Sequence, residues 1–236
     1  MEELADETFN TLYHISDVHI RNVHRHDEYR SVFRRLYRVL KEKVDIHSLI
    51  IVTGDLMHMK TELSPESVMI AGEFLARLGN IAPTVVIPGN HDCSLTNRKR
   101  TDAISAVLRE PIEGVYYLKE GGGYSIGNLE FGITSVYDKS VYPASACGEG
   151  TKVALYHGPV HGARTDVGYR MNGDQFLVED FAGYDYVLLG DVHRYQHLTP
   201  RMAYAGSLIQ QDHGENLDGH GVLVWDLTDG STSHVP

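Results

Sequence analysis

Five short apolar runs in this chain end in Asp or His, and that repetition constrains the fold more than any other feature of the sequence. Leu12 to Ser16 gives way to Asp17-Val18-His19, Leu49 to Thr53 to Gly54-Asp55, and Thr84 to Ile87 to Pro88-Gly89-Asn90-His91-Asp92. Further along, Val153 to Tyr156 leads into His157-Gly158, and Tyr186 to Leu189 into Gly190-Asp191-Val192-His193. Helix-forming stretches separate the first three. Tyr29, Val32, Phe33, Leu36, Tyr37, Leu40 and Val44 recur at spacings of three and four, the apolar stripe of an amphipathic helix. Ser64-Pro65-Glu66 predicts the N-cap, the first-turn proline and the first-turn acid of a second helix carrying Val68, Phe74, Leu75 and Leu78. A shorter helix is expected over Asp102 to Leu108. Strand-helix-strand repetition builds a parallel sheet covered by helices. In such a sheet ligands bind beyond the carboxyl ends of the strands, so the polar run ends should converge in one crevice.

The second half carries shorter strand signals near Val115 to Leu118, Tyr124 to Ile126, Leu129 to Val136, Met202 to Ala205 and Gly221 to Leu227. The expected whole is an α/β fold of two packed sheets flanked by helices (α/β/β/α), forming a single domain over residues 1–236. With 42% hydrophobic and 22% charged residues, collagen, coiled coil and disorder are excluded. A net charge of −11 excludes a general basic sleeve for nucleic acid, so a polyanionic substrate would need local basic groups. No apolar run reaches the ~18 residues of a membrane span. The acidic start, with Glu2, Glu3, Asp6 and Glu7, is no signal peptide, and two cysteines make no disulfide framework. The expectation is an intracellular protein of a reducing compartment, cytoplasmic or nuclear, with no membrane partner.

The 14 histidines direct attention to metals and proton transfer. In extended chain, Asp17 and His19 project to one side, as do Asp191 and His193. Asp, His and one Asn offer oxygen and imidazole nitrogen without thiolate, which suits Mn²⁺, Fe²⁺ or Zn²⁺ better than a structural zinc knot. Other histidines read differently. His14, inside the first strand, is expected as a hydrogen-bonded core residue, and His24, His26 and His47 as solvent-facing. His161 is open between pocket and structural roles. Cys93 is expected as a plain buried thiol.

The ordered set Asp17-x-His19, Gly54-Asp55, Gly89-Asn90-His91-Asp92, His157-Gly158 and Gly190-Asp191-x-His193 resembles the calcineurin-like metallophosphoesterases. The segments Gly54-Asp55-Leu56-Met57-His58 with Leu63-Ser64-Pro65-Glu66, His157 to Ala163, Tyr204 to Leu208, and Gly219-His220-Gly221 running to Trp225-Asp226-Leu227 are similar to one branch, the SbcD-type nuclease subunits of double-strand-break repair. The resemblance implies one divalent ion held by Asp17, His19, Asp55 and His193, and a second by Asp55, Asn90, His157 and Asp191. Asp55 would bridge, and the ion pair would activate a water against a phosphodiester. His91 is then placed as general acid for the leaving oxygen, Asp92 as the group that orients its ring, and His58 as a phosphate contact.

One position departs from the family pattern: Asp191 stands where most relatives carry His. Three carboxylates against two divalent ions leave one formal positive charge, and none once hydroxide binds. That favours harder, oxygen-preferring ions such as Mn²⁺ or Mg²⁺ over Zn²⁺, and a pair of Mn²⁺ ions is expected. Arg21, Asn22 and Arg25, and the cluster Arg98-Lys99-Arg100, are expected to rim the crevice and hold DNA phosphates. The resemblance further implies DNA as substrate, an SbcC-type ATPase partner and a homodimer. Relatives of this branch continue with a capping domain and an ATPase-binding segment, both expected to be absent here, as in a core fragment or a compact viral or phage-like version. Two other readings stay open: a phosphatase or phosphodiesterase for small phosphoesters or phosphoproteins, and a non-catalytic module on the same fold.

Overall fold

The computed structural model describes residues 4–172 and 176–236, so Glu2 and Glu3 of the acidic start lie outside the described residues. The chain begins as alternating strand and helix: β1 (Thr11–Ile15), α1 (His26–Lys43), β2 (Ser48–Thr53), α2 (Pro65–Gly79), β3 (Thr84–Ile87), α3 (Ala103–Val107) and β4 (Val115–Tyr117). Strands then follow with few helices: β5 (Gly122–Ile126), β6 (Leu129–Thr134), β7 (Thr151–His157), β8 (Tyr186–Gly190), β9 (Gln196–Thr199), β10 (Met202–Tyr204), β11 (Val222–Asp226) and β12 (Thr232–Val235). They make two six-stranded mixed sheets, ordered β12-β11-β1-β2-β3-β4 and β5-β6-β7-β8-β10-β9. β1 to β4 run parallel, as do β6, β7, β8 and β10. The expected α/β two-sheet sandwich with flanking helices is therefore the observed fold.

Period-two alternation decides which layer each side chain joins. Tyr13, Ile15, Ile50, Val52 and Val86 face outward under α1 and α2, against Phe33, Leu36, Leu40, Phe74 and Leu75. Leu12, Leu49, Ile51, Val85 and Ile87, with Trp225 of β11, face inward and meet Phe131, Ile133, Leu155 and Leu188 of the other sheet. Each such side chain, fully buried, contributes about 1.5–3 kcal/mol relative to exposure, so this shared layer is what fixes one sheet against the other. The outer face of the second sheet packs Ala154, Val187, Leu189 and Tyr204 against Val160, Ala163 and Phe181. Its cover is loops and the short 3-10 helix Val178–Phe181, where α-helices serve the first sheet.

Helix α2 starts as its sequence predicts. The Ser64 hydroxyl accepts the Ser67 N–H at 3.1 Å and Pro65 occupies the first helical position. Among the described residues, β9 and β12 were not expected. Both are short edge strands without an apolar alternation, and they lie close together, the Thr232 hydroxyl being 3.3 Å from His197 Nε2. No helix among the described residues is long and apolar enough to cross a membrane.

Candidate metal centre

Because β1, β2, β3, β7 and β8 are parallel within their sheets, their carboxyl ends open on one edge of the sandwich. Leaving the strands there forces sharp turns. Among the described residues, five non-glycine positions take positive φ, and four of them are Asp17 (50°), His19 (50°), Asp55 (51°) and Asp191 (93°). Such backbone costs of order 1–3 kcal/mol per residue and persists where the surroundings over-determine it. Glycines make the close approaches. A Cβ on Gly89 would lie 2.1 Å from Asp55 Oδ1, and one on Gly190 would lie 2.1 Å from the Thr53 carbonyl oxygen.

The seven expected ligands converge. His157 donates Nδ1–H to the Thr53 carbonyl at 2.7 Å, and a carbonyl can only accept. Its Nε2 lone pair therefore faces Asn90 Oδ1 at 3.0 Å, Asp55 Oδ2 at 3.3 Å and Asp191 Oδ1 at 3.9 Å. On the other flank His193 gives Nδ1–H to Glu215 Oε1 at 2.6 Å. Its Nε2 lies 3.0 Å from His19 Nε2 and 3.8 Å from Asp17 Oδ1. His19 Nε2 is 3.8 Å from Asp17 Oδ1 and 3.4 Å from Asp55 Oδ2. Asp55 Oδ2 thus lies between the two flanks.

Acceptor atoms aimed at one another need positive charge between them, whether protons or metal ions. Ionisation follows that need. Burial disfavours charge on His157, yet Asp55, Asp17 and Asp191 outweigh it and hold its pKa well above the usual histidine range. Burial likewise opposes charge on His193, but the Glu215 hydrogen bond and Asp17 carry it up to about 9. Burial raises the Asp17 carboxyl to about 6, against the pull of His157 and His193. His19 lies well below its ordinary value, first through burial. An oxygen and imidazole set arranged in this way fits divalent cations. The ligand atoms of Asp17, His19 and His193, and those of Asp17, Asp55 and His157, lie within 4.8 Å of one another. His19, His58 and His91 form a third such group.

The remaining expected residues divide. His91 donates its backbone N–H to Asp55 Oδ1 at 2.8 Å and its ring Nδ1–H to the His58 carbonyl at 2.7 Å, leaving Nε2 to exchange protons. Asp92, expected to orient that ring, does not. It is buried, and its carboxylate accepts the N–H groups of Leu56, Met57 and Gly89, tying the two ligand-bearing loops together. The His58 carbonyl orients His91 instead. His58 Nε2 accepts from Arg21 Nη1 at 3.3 Å, and Arg21 Nη2 donates to the Gln211 carbonyl at 2.9 Å, so Arg21 joins the site. Asn22 follows on the same loop, its backbone carbonyl bound by the Ser64 hydroxyl. Arg98, by contrast, is exposed, paired with Glu120 and set 5.4 Å over the Tyr137 ring. Its charge is committed to Glu120 rather than to the crevice; Lys99 and Arg100 beside it are exposed. Arg25 is similarly paired with Glu28 at 2.7 Å.

Sequence reasoning missed three supports. Thr53 acts through its carbonyl, which every residue has. Lys60 holds the Asn90 carbonyl at 2.8 Å from a loop with no pattern. Glu215 sits in the segment between β10 and β11, outside every strand-end block. His14 is the expected core residue: it is buried, 2.8 Å from the Thr53 hydroxyl, with its pKa pushed down to about 3 by burial. Cys93 is buried, and burial pushes its thiol up to about 12.

Comparison with known proteins follows the same lines. The family model described as calcineurin-like phosphoesterase matches residues 11–195. A protein of Acanthamoeba polyphaga mimivirus, itself uncharacterised, is 48% identical over 239 residues, an alignment covering 95% of this chain and 18% of that protein. The chain therefore spans under a fifth of the length of this relative. Among solved structures, the Pseudomonas putida nuclease MPE aligns with a TM-score of 0.42 at 16% identity, over 95% of this chain and 87% of its own. A cold-active protein-tyrosine phosphatase of a psychrophilic Shewanella aligns with a TM-score of 0.41 at 10% identity, over 99% and 82%. At these scores neither alignment bears on substrate.

Proposed function

From the premise that this chain belongs to the calcineurin-like phosphoesterase family, we propose that it is a two-metal phosphodiesterase acting on DNA. The observation that carries the reading is the position of Asp55 Oδ2, 3.4 Å from His19 Nε2 and 3.3 Å from His157 Nε2, which suits one oxygen shared by two cations. Asp17, His19 and His193 would complete one position, Asn90, His157 and Asp191 the other. Bound there, divalent ions, Mn²⁺ by preference, supply Lewis-acid charge for the phosphate and lower the pKa of a water. His91 Nε2, with Nδ1 pinned by the His58 carbonyl, hands a proton to the leaving sugar oxygen. Arg21 and His58 form the adjoining wall, where the Arg21 guanidinium would hold a non-bridging phosphate oxygen and His58 would contact the phosphate beside it. An SbcC-type ATPase partner and a homodimer belong to the same proposal through the branch resemblance alone.

The second reading, a phosphatase or phosphodiesterase for small phosphoesters, has one observation in its favour. An open pocket of ≈ 370 Å³ beside Asp191 and His193 is lined by the carboxylates Asp166, Asp212 and Glu215, with Arg194 the one arginine in its lining. Such a wall repels a polyanion.

Incubation with Mn²⁺ and, in parallel, linear duplex DNA, single-stranded DNA, a phosphodiester dye and a phosphomonoester dye separates the two. DNA cleavage that His91→Asn lowers by roughly 10²–10⁴-fold, and that Asp55→Asn abolishes together with metal uptake, is the expected result. Hydrolysis of the monoester with intact DNA overturns the DNA reading in favour of the second.

A further inference from the structure

We infer that Glu215 is a positioning residue that makes the two flanks of the centre unequal, so that the cation on the Asp17-His19-His193 flank is held more tightly than its partner. The inference rests on the two-metal reading of the site and reaches beyond it to the order in which the positions fill.

Two of the candidate ligand imidazoles, His157 and His193, have a fixed Nδ1–H and present Nε2 to the centre, but their Nδ1–H groups rest on different supports. His157 donates to a neutral carbonyl, that of Thr53, at 2.7 Å, whereas His193 donates to a carboxylate at 2.6 Å. A carboxylate behind an imidazole fixes its orientation and raises its basicity towards a metal, and losing such a partner commonly costs 10–100-fold in metal affinity. It also brings a negative charge to that flank alone. The Glu215 side chain is 6% exposed, so its charge is poorly screened by water.

The carboxylate is held rigidly. Its second oxygen accepts the Gln211 N–H at 2.7 Å and faces the Ser207 hydroxyl at 3.4 Å. Gln211 is anchored in turn, its side-chain amide donating to the Val18 carbonyl at 3.2 Å and its own carbonyl accepting from Arg21. One loop therefore braces His193, the turn carrying Asp17 and His19, and Arg21 at once.

Glu215→Gln removes the negative charge and keeps one acceptor oxygen for His193, at the cost of the oxygen that accepts the Gln211 N–H, so Glu215→Asp and Glu215→Ala are titrated beside it. Calorimetric titration of the full chain with Mn²⁺ should show two steps. Asn90→Ala, which touches only the other flank, identifies the weaker one. In Glu215→Gln the tighter step weakens roughly 10–100-fold and the weaker step moves by less than about threefold. Unchanged affinity at both steps overturns the inference, as does a change confined to the weaker step. Thermal unfolding of the metal-free variant checks that it folds; should it not, Glu215→Asp, which keeps the charge, must retain the tighter step more closely than Glu215→Ala. A wild-type chain that takes up two ions and cleaves no DNA ends the DNA reading and leaves this inference standing on the titration.

Discussion

Single residues divide this centre into groups that were legible and groups that were not. Asp17, His19, Asp55, Asn90, His157, Asp191 and His193 stood out because each follows an apolar run and because, in all runs but the first, glycine or proline marks where the run stops. Their gathering needs only parallel strands. Hydrogen-bond partners are another matter, since they depend on the path of loops that no periodicity describes. Asp92 lies next to His91 in sequence but turns into the protein to accept three backbone N–H groups. The arginines show the same limit. Arg21 and Arg98 look alike as basic residues after a strand-end block, yet Arg21 contacts His58 while Arg98 is paired with an exposed glutamate. Hydrogen bonds to a charged group contribute about 1.5–3 kcal/mol, so on the proposed DNA reading Arg21→Ala should lower kcat/KM for DNA by roughly 10–100-fold, chiefly through KM. An exposed pair contributes about 0–1 kcal/mol, and Arg98→Ala should stay within about threefold of wild type in the same assay.

At the scale of elements, the strongly periodic segments were the readable ones. Helices α1 and α2 carry wide apolar stripes, and the central strands alternate between two buried layers. β9 and β12 escaped because each is an edge, four residues long with a single apolar residue. Tertiary pairing with β10 and β11 makes them strands, not propensity. The start of α2 has more than local importance. The Ser64 hydroxyl caps the helix and also binds the Asn22 carbonyl, linking α2 to the loop that follows Arg21. Removing an N-cap side chain costs typically ~1 kcal/mol. Ser64→Ala should therefore lower the unfolding free energy by that amount or somewhat more, read as a lower urea midpoint with an unchanged slope, and relax the positioning of Arg21, seen as a rise in KM.

For the whole molecule, acid dominates, and much of the acid in the interior lies where cations would sit. Asp17 and Asp55 are buried almost completely within the sandwich. Like charges enclosed together oppose folding until something neutralises them. Divalent metal should accordingly stabilise the chain well beyond any surface effect. A ligand that binds only the folded state adds about 2.7 kcal/mol at a hundred times its Kd, so saturating Mn²⁺ should raise Tm by several degrees, and excess chelator should return it to the metal-free value. Asp55→Asn should abolish that Mn²⁺-dependent rise, because it removes the oxygen between the flanks. Absence of any metal-dependent rise in the wild-type chain would count against the centre itself.

The centre draws Asp17, His19, Asp55 and Asn90 from one sheet and His157, Asp191 and His193 from the other, and β1, which carries the first two, is flanked by β2 and β11. Residues 11–92 alone therefore carry one wall of the centre and residues 151–193 the other. Docking of the two sheets and completion of the centre are thus a single event, and a molecule whose seam stays open has neither wall opposed by its counterpart.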